Sequence, residues 1–366
     1  MEQDSINETR SFDSILDLFK QYEDGKLDSI ISGYRMDLAS TGTINFRGVD
    51  IKIEFDNSGN LKFSVESLGI IDKPFNGGSQ EDSFKLLTDY LKENKDGLLK
   101  RILKNTIEYT PYDLVAGNPN SLMANMVDNS YSINTRYSFN SVASYLSPSA
   151  SKHTIKFGGE EKNISMLSLP LGYSFTFGKN KDWGLIFDLP LSYMDVDGSK
   201  SYSLQTGLSF VIPISKHWKL TPSARAGAIG SEDMLSGGVL YAGSLTSSLT
   251  IPINKFSIEI VNTAGIIKDY SLEVGEYEIE YDLKNNFFKN GLVVRYDLAK
   301  NYVFGVNYSN TFFTGSELYV DSYNDIGFSL TRKRGKDKFI TAIALVGNYT
   351  FGDNYNAYRL GFDILF

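Results

Sequence analysis

The chain has 366 residues, a formal net charge of -8 and a sequence pI near 5.0, which sets aside a general nucleic-acid binder. It has no cysteine, so disulfides, thiol catalysis and Cys-ligated zinc or iron–sulfur sites are excluded. Its 23 Tyr, 24 Phe and 32 Gly against 9 Pro, with a mean hydropathy of -0.21, suit sheets that are apolar on one face and polar on the other.

The opening "MEQDSINETRSFDS" has no apolar run, so no signal segment is read there, and no stretch reaches the length of a membrane-spanning helix. "TINFRGVDIKIEFDNSGNLKFSVESL" (43–68) reads as two or three strands with "DNSGN" as a turn. "SFKLLTDYLKEN" (83–94) and "GLLKRILKNTI" (97–107) carry apolar residues at helical spacing. Further on, Asn118 is placed to cap a short helix with Pro119 in its first position, and 83–107 or 119–128 is the stretch that would plug a lumen wide enough for one helix.

From about residue 130 alternation takes over. About twelve segments of strand period follow, near 131–141, 165–178, 182–195, 201–213, 217–230, 238–252, 255–267, 288–298, 302–314, 323–332, 338–351 and 355–366. They match or exceed the roughly 9–11 residues a tilted strand needs to cross a bilayer, where ordinary strands average about 5–6. Connections alternate too. "GKNKD", "SKH", "NK", "AKN" and "RKRGKDK" are short and basic. Most of the others, including 147–163, 268–286 and 314–325, are longer and richer in acid. The apolar faces are nearly free of charge, whereas the opposite faces carry Arg136, Asp188, Arg225, Glu259, Arg295, Arg359 and Asp363. A Lys or Arg facing lipid costs about 2–4 kcal/mol at mid-membrane, which keeps one face clean. Aromatics such as Trp183, Trp218, Phe256 and Tyr302 follow the basic turns, as interfacial girdles do. The expected fold is mainly β: a closed antiparallel transmembrane β-barrel of about 12 strands with an N-terminal α/β segment acting as pore helix or plug. The expected divisions are 1–80, small and β-rich; 81–128, helical linker or plug; and 129–366, the barrel.

The terminal "YRLGFDILF", with Tyr358, Leu360, Phe362, Ile364 and Phe366 on one face, resembles the last strand of Gram-negative outer-membrane barrels. In that class this strand is the signal read by the barrel-assembly machinery. About twelve strands behind a helical segment resemble the translocator unit of classical autotransporters. That resemblance implies the bacterial outer membrane, contact with its lipid and lipopolysaccharide, the 83–107 region in the pore, and residues 1–80 outside as the end of a passenger. A small periplasmic cap packed on its own strands is the competing placement for the N-terminal segment. A passive channel or porin is the second function, and the inward charges serve either as a selectivity device or as mutual ion pairs. An outer-membrane hydrolase using His153, with Ser149 and Ser151 near it, is the third; His217 falls in a short turn and reads as interfacial. "EVGEYEIEYD" (273–282) reads as a projecting hairpin, and no cofactor or metal motif is found.

Overall fold

The computed structural model describes residues 7–12, 39–46, 49–136, 143–157, 160–178, 182–196, 198–231, 236–274, 277–334, 338–353 and 355–366. The N-terminal part is a five-stranded sheet in sequence order: β1 (Asn7–Phe12), β2 (Ser40–Phe46), β3 (Val49–Phe55), β4 (Leu61–Val65) and β5 (Ile70–Phe75). β1 pairs parallel with β2, and the rest are antiparallel. Asp56 makes the β3–β4 turn, accepting the N–H groups of Ser58 and Asn60 on one carboxylate oxygen. Helices α1 (Gln80–Lys92) and α2 (Leu98–Tyr109) follow. Ser79 caps α1 by accepting the Asp82 N–H at 3.1 Å. The chain then turns through the left-handed conformation at Asn94, Asp96 and Gly97. Leu87, Leu91, Leu99 and Ile102 are fully buried with Ile51, Leu61 and Phe63 of the sheet.

A third helix, α3, spans Leu122–Arg136. Strands follow: β6 (Ala143–Leu146), β7 (Ser149–Phe157), β8 (Glu160–Phe177), β9 (Trp183–Val196), β10 (Ser199–Pro213), β11 (Trp218–Ser231), β12 (Ser236–Ile253), β13 (Phe256–Tyr270), the small hairpin β14 (Leu272–Val274) and β15 (Tyr277–Ile279), then β16 (Lys284–Ala299), β17 (Tyr302–Gly315), β18 (Ser322–Lys333), β19 (Ala342–Gly352) and β20 (Tyr355–Leu365). β6 and β7 are one strand interrupted at Ser147–Pro148. Counted so, 12 antiparallel strands close into a barrel, with β20 pairing both β19 and the β6–β7 strand. Closure leaves no sheet edge. Along each strand inward residues are buried and outward ones exposed, as in β10. The outward face holds most of the exposed large apolar side chains among the described residues, such as Leu167, Phe187, Leu208, Leu245 and Phe328. Such a surface is stable only against lipid or another apolar phase. No helix is long and apolar enough to cross a membrane among the described residues, which leaves strands untouched.

The structure corrects the sequence reading at the start of the barrel. The strand expected at 131–141 is helix as far as Arg136, and the first barrel strand begins at Ala143. Tyr131 and Ile133 mimic strand alternation, but Met123, Met126, Val127 and Ser130 bury a helical face as well. The short helix starts at Leu122 instead of Pro119, and Ser121 Oγ caps it by accepting the Ala124 N–H at 3.3 Å. The long loop expected at 147–163 is a strand hairpin, β7–β8, whose inward Ser151 and His153 disguise its period. The 83–107 region is outside the pore: it packs on its own sheet, at the end of the barrel where the longer loops lie. The short turns occupy the other end, and the helices pack on their own strands as the competing cap reading expected.

Candidate functional site

The lumen is the site, and α3 is its main occupant. The helix packs against β10, β11, β12, β13 and β16. Glycines in the wall make room for it. A Cβ on Gly227 would press on Leu122 and Met126, and one on Gly291 would overlap the Tyr131 hydroxyl. Polar groups then fix its height: Asn129 donates to Gln205 at 3.0 Å, and Thr221 donates to Asn134 at 2.7 Å. At the helix C-terminus Arg295 Nη2 donates to the Thr135 carbonyl, the right charge for that end of the helix dipole. Leu122 therefore lies towards the loops and Arg136 towards the short turns. The chain enters the barrel at its loop end and leaves at its turn end.

The inward charges form compact ion pairs. Arg225 grips Asp188 through two bonds of 2.6 and 3.0 Å, both side chains being 1 % exposed. Arg295 reaches Glu259 at 2.6 Å, and Ser248 satisfies the other Glu259 oxygen at 2.7 Å. Arg359 stands 3.8 Å from Asp128 on α3, and Asp363 lines the cavity beside it. Arg136 is the exception among the expected wall charges. It ends α3 and belongs to no barrel strand, and its side chain lies outside the described residues.

Sequence reasoning missed the central cluster. Lys289 Nζ lies 2.8 Å from Asp128 and 2.8 Å from Asp325, and Asp325 also accepts from Thr350 at 2.6 Å. Lys289 shares the inward phase of Arg295, and that phase was the available signal. Asp128 carries no strand signal because it is on the plug. Breaking a buried ion pair by removing one partner costs about 3–5 kcal/mol, so these contacts hold the helix in one place.

The lumen has two tiers. At the loop end, inward residues of the strands are apolar: Ile155, Met166, Val196, Leu240, Ile267 and Phe287 join Leu114 and Val115 ahead of α3 in one core with the N-terminal domain. That core seals the mouth. Nearer the turns the wall is Ser, Thr and ions, and a cavity of about 220 Å³ runs beside α3. His153 sits between the tiers. Its Nε2 is 3.0 Å from Ser151 Oγ and its Nδ1 is 2.8 Å from the Tyr355 hydroxyl. This Ser–His–Tyr chain has the order of a nucleophile, a base and an orienting group. All three side chains are buried, and the cavity reaches Ser149 and Arg359 but neither Ser151 nor His153. Its evident effect is to tie β7 to β20 across the closing seam. His217 lies in the short β10–β11 turn, where its carbonyl accepts from Thr250 at 2.8 Å.

The N-terminal domain is stitched to the loops. Lys100 reaches Glu280 at 2.8 Å and Lys104 reaches Asp282 at 3.4 Å. Tyr319 and Val320, in the β17–β18 loop, donate backbone N–H groups to the carbonyls of Ile107 and Gly117. The hydrogen bond to Glu280 raises the Lys100 ammonium above its ordinary range. Burial, then the hydrogen bond and charge of Glu317, raise the Glu108 carboxyl.

No family model and no curated protein matches the sequence. Solved structures do match. The translocator domain of the autotransporter NalP from Neisseria meningitidis superposes with a TM-score of 0.51 at 10% identity, covering 67% of this chain and 95% of that one. In fold, the chain resembles a translocator barrel. The β domain of the Bordetella autotransporter BrkA (TM-score 0.44, 12% identity, 61% of this chain and 99% of that one) and an outer-membrane channel from Pseudomonas putida F1 (0.44, 9%, 63% and 97%) also match, too distantly to bear on the argument. At these identities the likeness is one of architecture alone.

Proposed function

We propose that this chain is an outer-membrane β-barrel that works as a translocator-type anchor, holding its N-terminal domain on the outer face of the membrane. The direction of α3 carries the reading. In such barrels the short turns face the periplasm. A helix that enters at the loop end and exits at the turn end leaves everything before Leu122 outside. The domain of β1–β5, α1 and α2, docked on the loops through Lys100 and Lys104, is then the displayed domain, the chain's own passenger. The outward row Tyr358, Leu360 and Phe362, which is 50–66% exposed, serves the assembly machinery as its recognition strand, with Ile364 and Phe366 completing it. The inward ions act as structural pairs in this reading. The test is conductance in a planar bilayer. The whole chain is expected to be closed, because α3 and the apolar core block the lumen, and a barrel lacking residues 1–136 is expected to conduct. Equal conductance from both would overturn the plugged anchor.

The cavity beside α3 favours a second reading, a gated channel. There the same conductance would appear in the whole chain as brief openings that depend on voltage or solute.

A further inference from the structure

Three prolines on neighbouring strands breach the wall at one level. Ser147 donates its N–H to the Pro170 carbonyl at 2.9 Å, but Pro170 has no N–H to return. Phe362 donates to the Pro148 carbonyl at 2.9 Å, and again no bond returns. Pro170 stands directly opposite Pro190. Since Pro170 makes its hydrogen-bonded pairing towards the first strand, Pro190 would make its own towards β10. There the ladder skips from Leu204–Leu191 to Gly207–Asp188, and Pro190 has no N–H to give Gln205. One missing bond thus falls in each of the β20–β7, β7–β8 and β9–β10 junctions. Ser147 Oγ, 96% buried at the same level, finds no hydrogen-bond partner among the described residues.

Both sides of this breach are hollow. Inside, the lumen cavity is lined by Pro170 and Pro190. Outside, an apolar groove of about 1080 Å³ crosses β20, β7, β8, β9, β10 and β11, walled by Leu169, Leu191, Leu204 and Phe362. Ser149, Ser168 and Ser192 line both. A single layer of backbone with small side chains separates lumen from lipid there. Tyr193 and Tyr202 rim the groove with their rings 5.4 Å apart, and Tyr358 stands opposite the exposed Lys152 in the register, three residues above Gly361. Lys152 has no ion-pair partner among the described residues.

We propose that this face is a lateral portal occupied by one lipopolysaccharide molecule, with acyl chains in the groove and a phosphate at Lys152. The inference rests on the outer-membrane orientation above, which puts the tyrosine rim in the outer leaflet. Six strands at about 4.8 Å spacing make a groove wide enough for several acyl chains side by side. An exposed cation at the rim complements a phosphate.

The chain's lack of cysteine makes the portal testable by single thiols in the full-length protein in proteoliposomes. Ser168→Cys and Ser192→Cys, though inward, are expected to react with a maleimide carried on a lipid acyl chain as well as with a water-soluble thiosulfonate. Ala344→Cys, inward on β19 and lining the lumen cavity but not the groove, should react only with the soluble reagent, and Leu292→Cys, outward, should take the lipid probe. Adding Pro170→Ala and Pro190→Ala, which restores two N–H donors, should cut lipid-phase labelling of Ser192→Cys at least fivefold. If Ser168→Cys and Ser192→Cys behave like Ala344→Cys while Leu292→Cys labels, there is no portal. If Leu292→Cys fails to label, the membrane reading itself is wrong. Native mass spectrometry of the whole barrel with purified lipopolysaccharide should show one molecule retained, and at least tenfold less with Lys152→Glu. No retention, or equal retention of phosphatidylglycerol, would overturn the assigned occupant.

Discussion

Lys289 on the barrel wall donates to Asp128 on the lumen helix at 2.8 Å, and an equal bond joins it to Asp325 on the neighbouring side of the lumen. One buried cation therefore holds two carboxylates, one on the lumen helix and one on the wall. The two substitutions are not equivalent. Lys289→Ala takes the ammonium from both carboxylates, leaving Asp128 only Arg359 at 3.8 Å and Asp325 its hydroxyl donors, and should cost about 3–5 kcal/mol. Asp128→Ala leaves Lys289 paired with Asp325 and should cost less than half as much. Thermal unfolding in detergent, followed by tryptophan fluorescence, ranks them.

Gly291 is a socket. A methyl there overlaps the Tyr131 hydroxyl, and Tyr131 is itself buried against the wall. Gly291→Ala should displace the helix and destabilise the plugged state by about 1–3 kcal/mol, as overpacking does. The double variant Gly291→Ala with Tyr131→Ala should recover at least part of the loss, because the collision is gone. A double-mutant cycle on the same unfolding signal measures the coupling.

The cap should loosen as pH rises. The Glu108 carboxyl is raised by burial and by Glu317, so the folded state favours its protonated form. A carboxyl raised in this way stabilises docking below its ordinary pKa near 4.5 and loses that contribution as pH climbs through the raised value. Lys100, raised by its bond to Glu280, stays charged throughout that window and adds no slope. Limited proteolysis of the 93–121 region should therefore be slower at pH 4.5 than at pH 7.5. Glu108→Gln should flatten the difference.

Leu360 lies on the outward face of β20, 55% exposed. Leu360→Arg puts a cation against lipid and should cost about 2–4 kcal/mol if the position lies near mid-membrane. The folded, heat-modifiable band on a cold gel should fall accordingly, while Asn356→Arg, also outward but near the loop end, should leave it nearly unchanged.

The barrel was legible because a lipid-facing strand cannot hide its period: Leu167, Leu169, Leu171, Tyr173 and Phe175 have no choice but to alternate. The first strand was not, since its inward Ser149, Ser151 and His153 alternate with Ala150, Lys152 and Thr154, and polarity barely changes from face to face. Tyr131 and Ile133 misled in the opposite direction, because two apolar residues two apart fit a strand while the helical partners Met123 and Val127 lay upstream. Asp188, Arg225, Glu259 and Arg295 were readable as inward charges from phase alone. That they pair with one another, and that Lys289 bridges to Asp128, depends on which strands are neighbours and on the helix between them. The apolar mouth was out of reach for the same reason: Leu240, Ile267 and Phe287 look like ordinary inward residues until the cap is placed over them.

With α3 threading the barrel from its loop end, the N-terminal domain should stand on the outer face. Protease added to intact cells tests it most directly, with a cleavage site inserted between Asn57 and Ser58, in the exposed β3–β4 turn, and a second variant carrying the site at Lys300–Asn301 in a short turn. Cleavage is expected at the first site in intact cells and at the second only after the outer membrane is permeabilised. Protection at Asn57–Ser58 with cleavage at Lys300–Asn301 in intact cells would contradict it.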